Sequence, residues 1–207
     1  MKVLKVLNLY SGLGGNRKLW KNVEVTAIEN NVEIAKFYSD HFPNDVVIIT
    51  DAHQYLLEHY SEFDFIWSSI NCPSHSRARF WASKGKRYKP VFPDMKLYEE
   101  ILFLEHYFEG KWCVENVKPY YTPLLKPSVI IERHLFWSNF FINLIKLPKN
   151  RIFDGNIDVW ENVTGFDISK YEFSIRKDKI LRNCVEPELG LHILNCANKK
   201  DNKFFNL

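Results

Sequence analysis

Apolar runs of strand length alternate with segments of helical period along most of this chain. Val3–Leu9 is a leucine and β-branched run broken by one lysine, which predicts a buried first strand. Ser11-Gly12-Leu13-Gly14-Gly15 follows as a turn, and Asn16 to Trp20 reads as the start of a helix. Val23–Ile28 predicts a second strand closing on Glu29-Asn30-Asn31, and Ile34, Phe37, Tyr38 and Phe42 recur at helical spacing. Val46–Ile49 is a third strand ending at Thr50-Asp51-Ala52, Tyr55–Tyr60 a second helix, and Phe63–Trp67 a fourth strand leading to Cys72. Leu97–Phe108 is an amphipathic helix, and Trp112–Val114 a fifth strand ending on Glu115-Asn116-Val117. Phe136–Leu144 reads as one arm of an antiparallel hairpin, Pro187–Asn195 as a closing helix, and Lys199–Leu207 as a frayed tail. The alternation predicts an α/β fold, a mostly parallel sheet with helices on both faces.

Composition changes this picture little. The 207 residues suffice for one α/β domain, and 46% hydrophobic with 26% charged residues is ordinary globular composition. A net charge of +3 does not announce a nucleic-acid partner. No run is long enough to span a membrane, and the early Asn8, Ser11 and glycines argue against a secretory signal. Four scattered cysteines suggest reduced thiols in a cytoplasmic setting rather than a disulfide scaffold.

The candidate chemistry gathers at strand ends. A strand that runs into a glycine turn brings backbone N–H groups close to a ligand, although such a turn is as often a tight βα connection. Glu29 lies about where a nucleotide-type fold places the carboxylate that holds ribose hydroxyls, the alternative being a solvated acid. Cys72 follows a strand, where catalytic groups collect, although a free cysteine usually only packs. After it comes a stretch with Arg77, Arg79, Lys84, Lys86, Arg87 and Lys89, interleaved with Phe80, Trp81 and Tyr88 and almost free of acid. A charge run is usually a solvated face; its position favours a phosphate-contacting lid.

Taken in order, these motifs resemble the DNA (cytosine-5) methyltransferases, in particular compact bacteriophage-type members, from Val3 to about Leu194. The resemblance implies a Rossmann-like S-adenosylmethionine-dependent methyltransferase fold with a terminal antiparallel hairpin. It makes Asn8-Leu9-Tyr10-Ser11-Gly12-Leu13-Gly14-Gly15 the loop around the cofactor's methionine part, and it sets Glu29 (with Asn30) on the ribose and Asp51 (with Ala52) on the adenine amino group. It makes Cys72 the nucleophile, Ser76 the serine of its loop, Glu115 the motif acid and Arg133 the arginine-motif member. Asn183-Cys184-Val185 resembles the last motif, whose helix packs beside the cofactor. The implied partner is double-stranded DNA with a flipped cytosine, in a restriction-modification or orphan setting. The oligomeric state stays open.

The residues suit that chemistry. A thiolate added at carbon 6 makes carbon 5 of cytosine enamine-like, and Glu115 would hold or deliver a proton at ring nitrogen 3. Arg133 and the basic lid are expected to lower the thiol pKa. Asn71 stands where the family has proline, with Pro73 after the cysteine, and Glu132 and His134 flank Arg133 where the family has a second arginine. Glu161-Asn162-Val163 duplicates the acidic tripeptide, but it lies in the polar, weakly patterned span from about 146 to 179 that replaces a target-recognition domain. So short a span implies recognition of a very short sequence, or loose specificity, read by this span and the lid, within a single domain covering residues 1–207. Three alternatives stand beside this reading: the same chemistry on transfer RNA, a cofactor- or DNA-binding subunit of a split enzyme, and a zinc site from the pairs Cys72/His75 and His192/Cys196, with no metal as the favoured expectation.

Overall fold

The computed structural model describes residues 3–86, 89, 91–147 and 156–199. Its centre is a seven-stranded sheet: β1 (Leu4–Leu9), β2 (Val23–Ile28), β3 (Val46–Ile48), β4 (Phe65–Ser69), β5 (Lys111–Val117), β6 (Val129–Ile131) and β7 (His134–Ser138). The spatial order is β3-β2-β1-β4-β5-β7-β6. The first five strands pair in parallel, and β7 runs antiparallel to both β5 and β6. A parallel sheet whose order reverses at β1/β4, closed by an inserted antiparallel hairpin, is the Rossmann-like methyltransferase fold.

Alternation along the strands explains the layering. Phe65 and Trp67 of β4 bury on one face and Ile66 on the other, and Cys113 opposes Trp112 and Val114 in β5. The first face is covered by α1 (Val32–His41) through Tyr38, and the second by α2 (Ala52–His59) and later by α4 (Lys96–Tyr107) through Leu56, Ile101 and Leu104. Burying side chains such as Leu7, Ile66 and Leu104 contributes roughly 1.5–3 kcal/mol each.

Two expectations fail here. Asn16–Trp20 is a series of turns, so no helix joins β1 to β2. Arg17 instead forms a bidentate pair with Asp45 (2.8 and 2.9 Å) and donates to the Trp20 carbonyl (2.9 Å), pinning the turns to the entry of β3. The stretch after Cys72 is not an open loop either. It forms a 3-10 turn at Cys72–Ser74 and then a helix, α3 (Arg77–Lys84), which begins after Ser76 with no capping bond from that side chain. None of its residues is buried, so it lacks the apolar stripe by which periodicity reveals a helix.

The polar span also holds structure. It carries α5 (Ile157–Thr164) and α6 (Lys177–Arg182), which pack Trp160, Ile180 and Leu181 against Leu13, Ile34 and Phe37. The last helix, α7 (Pro187–Ala197), lies on the first face of the sheet with Leu189 and Ile193 in the core beside Trp20. The Trp20 indole donates to the Gly190 carbonyl (3.0 Å), so α7 covers the region left open by the missing β1–β2 helix. Arg87, Tyr88 and the tail beyond Lys199 lie outside the described residues. Among the described residues no helix is long and apolar enough to cross a membrane.

Candidate active site

The C-terminal ends of the parallel strands open into one cavity of about 680 Å³. Tyr10, Ser11, Gly12, Leu13, Gly15, Glu29, Asn30, Asp51 and Ala52 line one part, Cys72, Glu115 and Arg133 another, and Asn183 and Val185 a third wall. Gly14 lies outside the lining and packs toward Phe42 and Tyr38.

The glycine turn is shaped by backbone demands. Gly12 has φ +55 and open space where a Cβ would point, and its N–H donates to Glu29 Oε2 (3.0 Å). Gly15 approaches the chain so closely that a Cβ there would lie 2.3 Å from the Val185 carbonyl oxygen. Glu29 also accepts from the Asn31 N–H (2.9 Å), and Asn31 in turn caps α1. Burial nevertheless raises the Glu29 pKa, against the opposing pull of those N–H groups. Asp51 caps α2 by accepting from Gln54 (2.9 Å), a bond that holds its carboxyl below the ordinary range. Ser11 Oγ is buried with no hydrogen-bond partner. Tyr10 donates to Glu100 (2.7 Å), a fully buried carboxylate that also accepts from Ser68 (2.6 Å) and meets His53 (3.1 Å). This set braces β1, α2, β4 and α4 under the cavity.

Cys72 follows β4 at the start of its 3-10 turn, half-buried in the cavity wall. Its loop is held from β5, where Asn116 Nδ2 donates to the Ile70 carbonyl (3.1 Å). The expectation of an acidified thiol is overturned. Burial pushes the Cys72 pKa from 9.0 up to about 11 and Glu115 adds to the rise, while Arg133 and Lys179 offset only part of it. No side chain of α3 is among these influences.

Glu115 sits within β5 rather than after it, in register with Ser69 and Phe136 and on the same face as Cys113. Strand alternation sends it toward His134, whose Nδ1 lies 2.6 Å from Glu115 Oε1. The other imidazole nitrogen is 3.2 Å from Glu186 Oε2. Arg133 stands in the β6–β7 turn, donating from Nε to His134 Nε2 (3.1 Å) and from Nη2 to the Cys184 carbonyl (3.3 Å), with its guanidinium 5.8 Å from the Trp160 ring centre. His134 and Glu186 were not singled out in the sequence. His134 reads there only as a break in an arginine pattern, and Glu186 precedes Pro187 as an unremarkable helix start. Glu161 is placed in α5, accepting from the Ile168 N–H (2.9 Å), outside the cavity.

Among the described residues, those expected to contact nucleic acid (Ser76, Arg77, Arg79, Lys84 and Lys86) do not line this cavity. Arg77 donates to the Pro119 carbonyl (3.0 Å), which fastens the start of α3. Arg79 and Lys84, with Phe80, Phe92 and Tyr120, line a neighbouring cavity of about 350 Å³, and Lys86 is exposed just past the helix. Phe80 stacks on Tyr120 with centroids 4.2 Å apart. Among the described residues no group of three or more His, Cys, Asp or Glu side chains is arranged to hold a metal ion. His75 is taken up by the Tyr121 hydroxyl, and His192 by the Asn143 carbonyl (2.7 Å).

Fold and site together define a methyltransferase-type sheet with a cysteine and a carboxyl group in the cavity at its switch point. No protein-family model matches the chain, and no curated protein sequence matches it. Solved structures similar to it include YhhF of Escherichia coli, a proposed methyltransferase (15% identity, TM-score 0.42, covering 66% of this chain and 76% of that one). A SAM-dependent methyltransferase of Agrobacterium tumefaciens is 13% identical, with a TM-score of 0.37 over 57% of this chain and 40% of that one. A mutant of Spodoptera frugiperda DNMT2 is 22% identical, with a TM-score of 0.40 over 56% of this chain and 36% of that one. At these values the function of none of them transfers to this chain.

Proposed function

We propose that the protein is an S-adenosylmethionine-dependent methyltransferase that modifies carbon 5 of cytosine in DNA. The observation that carries this reading is the shared cavity, which puts Cys72, Glu115 and Arg133 in the same space as the glycine turn and Glu29.

The chain's own groups fit the cofactor. Ser11 Oγ, buried and unpartnered, is a free donor and acceptor at the glycine turn, and the Glu29 carboxylate retains acceptor capacity for ribose hydroxyls beyond its two N–H bonds. Asp51 offers an acceptor to an amino group at the third strand's end. When bound, S-adenosylmethionine would supply an electrophilic methyl group. Cys72 adds to carbon 6 of the flipped base, losing its thiol proton as the carbon–sulfur bond forms, and Glu115 gives a proton to ring nitrogen 3. A thiol with a pKa of about 11 is mostly protonated at neutral pH, so the addition has to be coupled to that proton's loss. After transfer, a base removes the proton at carbon 5 and the thiolate leaves.

For the partner, α3 is the element with suitable chemistry. Exposed Arg77, Lys84 and Lys86 lie beside the cavity, and Trp81 and Phe92 are exposed as faces on which bases can stack.

The test is covalent trapping on a duplex carrying 5-fluorocytosine, whose fluorine cannot leave as a proton does. With S-adenosylmethionine, the expected result is an adduct stable to denaturing electrophoresis, mapped to Cys72 by mass spectrometry and lost in Cys72→Ser. An adduct on a fluorinated transfer RNA alone would move the substrate to RNA, and absence of any adduct would defeat the reading.

A further inference from the structure

Four ionisable groups meet at the cavity, three of them in its lining. Glu115 comes from β5, Arg133 and His134 from the β6–β7 hairpin, and Glu186 from the residue capping α7. The side chains of Glu115, His134 and Glu186 are 8%, 3% and 12% exposed, so their charges must be settled among themselves. Two carboxylates and one guanidinium leave a net charge of −1, and one further proton brings the cluster to neutrality. His134 sits where that proton belongs, with Nδ1 2.6 Å from Glu115 Oε1 and Nε2 3.2 Å from Glu186 Oε2.

The hydrogen bonds carry the same message. Nε2 cannot accept from Arg133 Nε (3.1 Å) and also donate to Glu186. With a neutral ring, Arg133 holds Nε2 and Glu186 Oε2 stays buried without a donor. With a second proton, Nε2–H donates to Glu186 Oε2 and Arg133 Nε gives up its bond to Nε2, so that both carboxylate oxygens facing the ring have a donor. Passing the Nδ1 proton to Glu115 leaves the cluster neutral in either position.

Resting on the proposed cytosine chemistry, we propose that His134 is the positioning residue that supplies Glu115 with the proton delivered to ring nitrogen 3, with Glu186 holding the opposite face of the imidazole. As the Cys72 Sγ–carbon 6 bond forms, the S–H proton departs to solvent and the carbon 5–carbon 6 π pair becomes a carbon 4–carbon 5 double bond. His134 Nδ1–H passes its proton to Glu115, the carbon 4–nitrogen 3 π pair takes that proton from the Glu115 carboxyl, and the cluster is left with a neutral imidazole and a Glu115 carboxylate. Elimination of the thiolate reverses the relay. The charged or titratable groups facing the imidazole are Glu115 from β5, Glu186 from α7 and Arg133 from its own hairpin, with Cys72 and Lys179 across the same cavity.

The experiment pairs kinetics with ¹⁵N-histidine NMR on the full chain without cofactor. At pH 7 the His134 ring is expected to show both nitrogens protonated, and Glu115→Gln to release that signature. In single-turnover methyl transfer, His134→Gln and His134→Arg are expected to lower kcat about 100-fold, the usual scale of a lost acid–base group. KM for nucleic acid should change less than about 3-fold, and the wild-type limb at high pH should disappear. His134→Arg keeps a cation between the carboxylates but has no exchangeable proton near neutrality. Wild-type kcat and pH profile in His134→Arg, or a neutral ring in the NMR, would overturn the relay. If the wild type methylates cytosine while the relay variants behave normally, only this inference fails; if the wild type transfers nothing to cytosine, the proposed function fails and the relay with it.

Discussion

At the scale of single residues, the site is a set of opposed influences decided by burial. Cys72 has a cation nearby, yet desolvation and Glu115 win and the thiol is pushed up to about 11. Alkylation by iodoacetamide in the free protein should therefore be slower at pH 8 than for an unburied cysteine peptide and should climb with pH toward that value. Fast alkylation at pH 7–8 would show that the pocket stabilises the thiolate after all.

The His134 cluster gives a stability signature with a definite sign. Burial opposes the charged imidazole, but Glu115 and Glu186 outweigh it and raise the pKa above the ordinary 6.5. That contribution is complete below 6.5 and is lost as pH rises through the raised folded value. Glu186 has the opposite sense: burial raises it, but His134 and Arg133 prevail and hold it below 4.5, so its contribution is complete above 4.5 and lost as pH falls through the lower folded value. Urea denaturation of wild type and His134→Gln should differ most between those two ordinary values and converge at higher pH. A gap independent of pH would mean that the ring acts only by packing.

At the scale of elements, the sequence pattern reveals strands better than helices. The second strand is read at Val23–Ile28, because its apolar positions fit a short buried strand, and the structure has it there. Strand β5 extends farther than its apolar core, since Glu115 and Asn116 are buried polar residues that a hydrophobicity pattern reads as a strand's end. Helix α3 escapes the pattern because it buries nothing, and the helix expected at Asn16–Trp20 is absent because Trp20 and Gly190 bring α7 onto that ground. The Gly15–Val185 approach is what seats the segment before α7 against the glycine turn. Gly15→Ala would place a Cβ 2.3 Å from the Val185 oxygen and should cost about 1–3 kcal/mol in a thermal melt, with weakened S-adenosylmethionine binding by calorimetry. An unchanged melting temperature would mean that this contact gives way freely.

At the scale of the molecule, the chain order of the motifs made the cavity legible before the fold was known, because each strand-end group sits where a parallel sheet gathers its C-terminal edges. The pair His134 and Glu186 was not legible. Their roles come from β5–β7 antiparallel pairing and from α7 returning over the sheet, contacts separated by 19 residues or more of chain. The proposed function, methyl transfer at this cavity with Cys72 as the nucleophile, is tested most directly by labelled methyl transfer from S-adenosylmethionine to unmethylated duplex DNA and to transfer RNA, with Cys72→Ser as control. The account predicts label in DNA, recovered as 5-methylcytosine and absent with the serine variant. Label that persists in Cys72→Ser, or bound cofactor with no transfer to either nucleic acid, would contradict it.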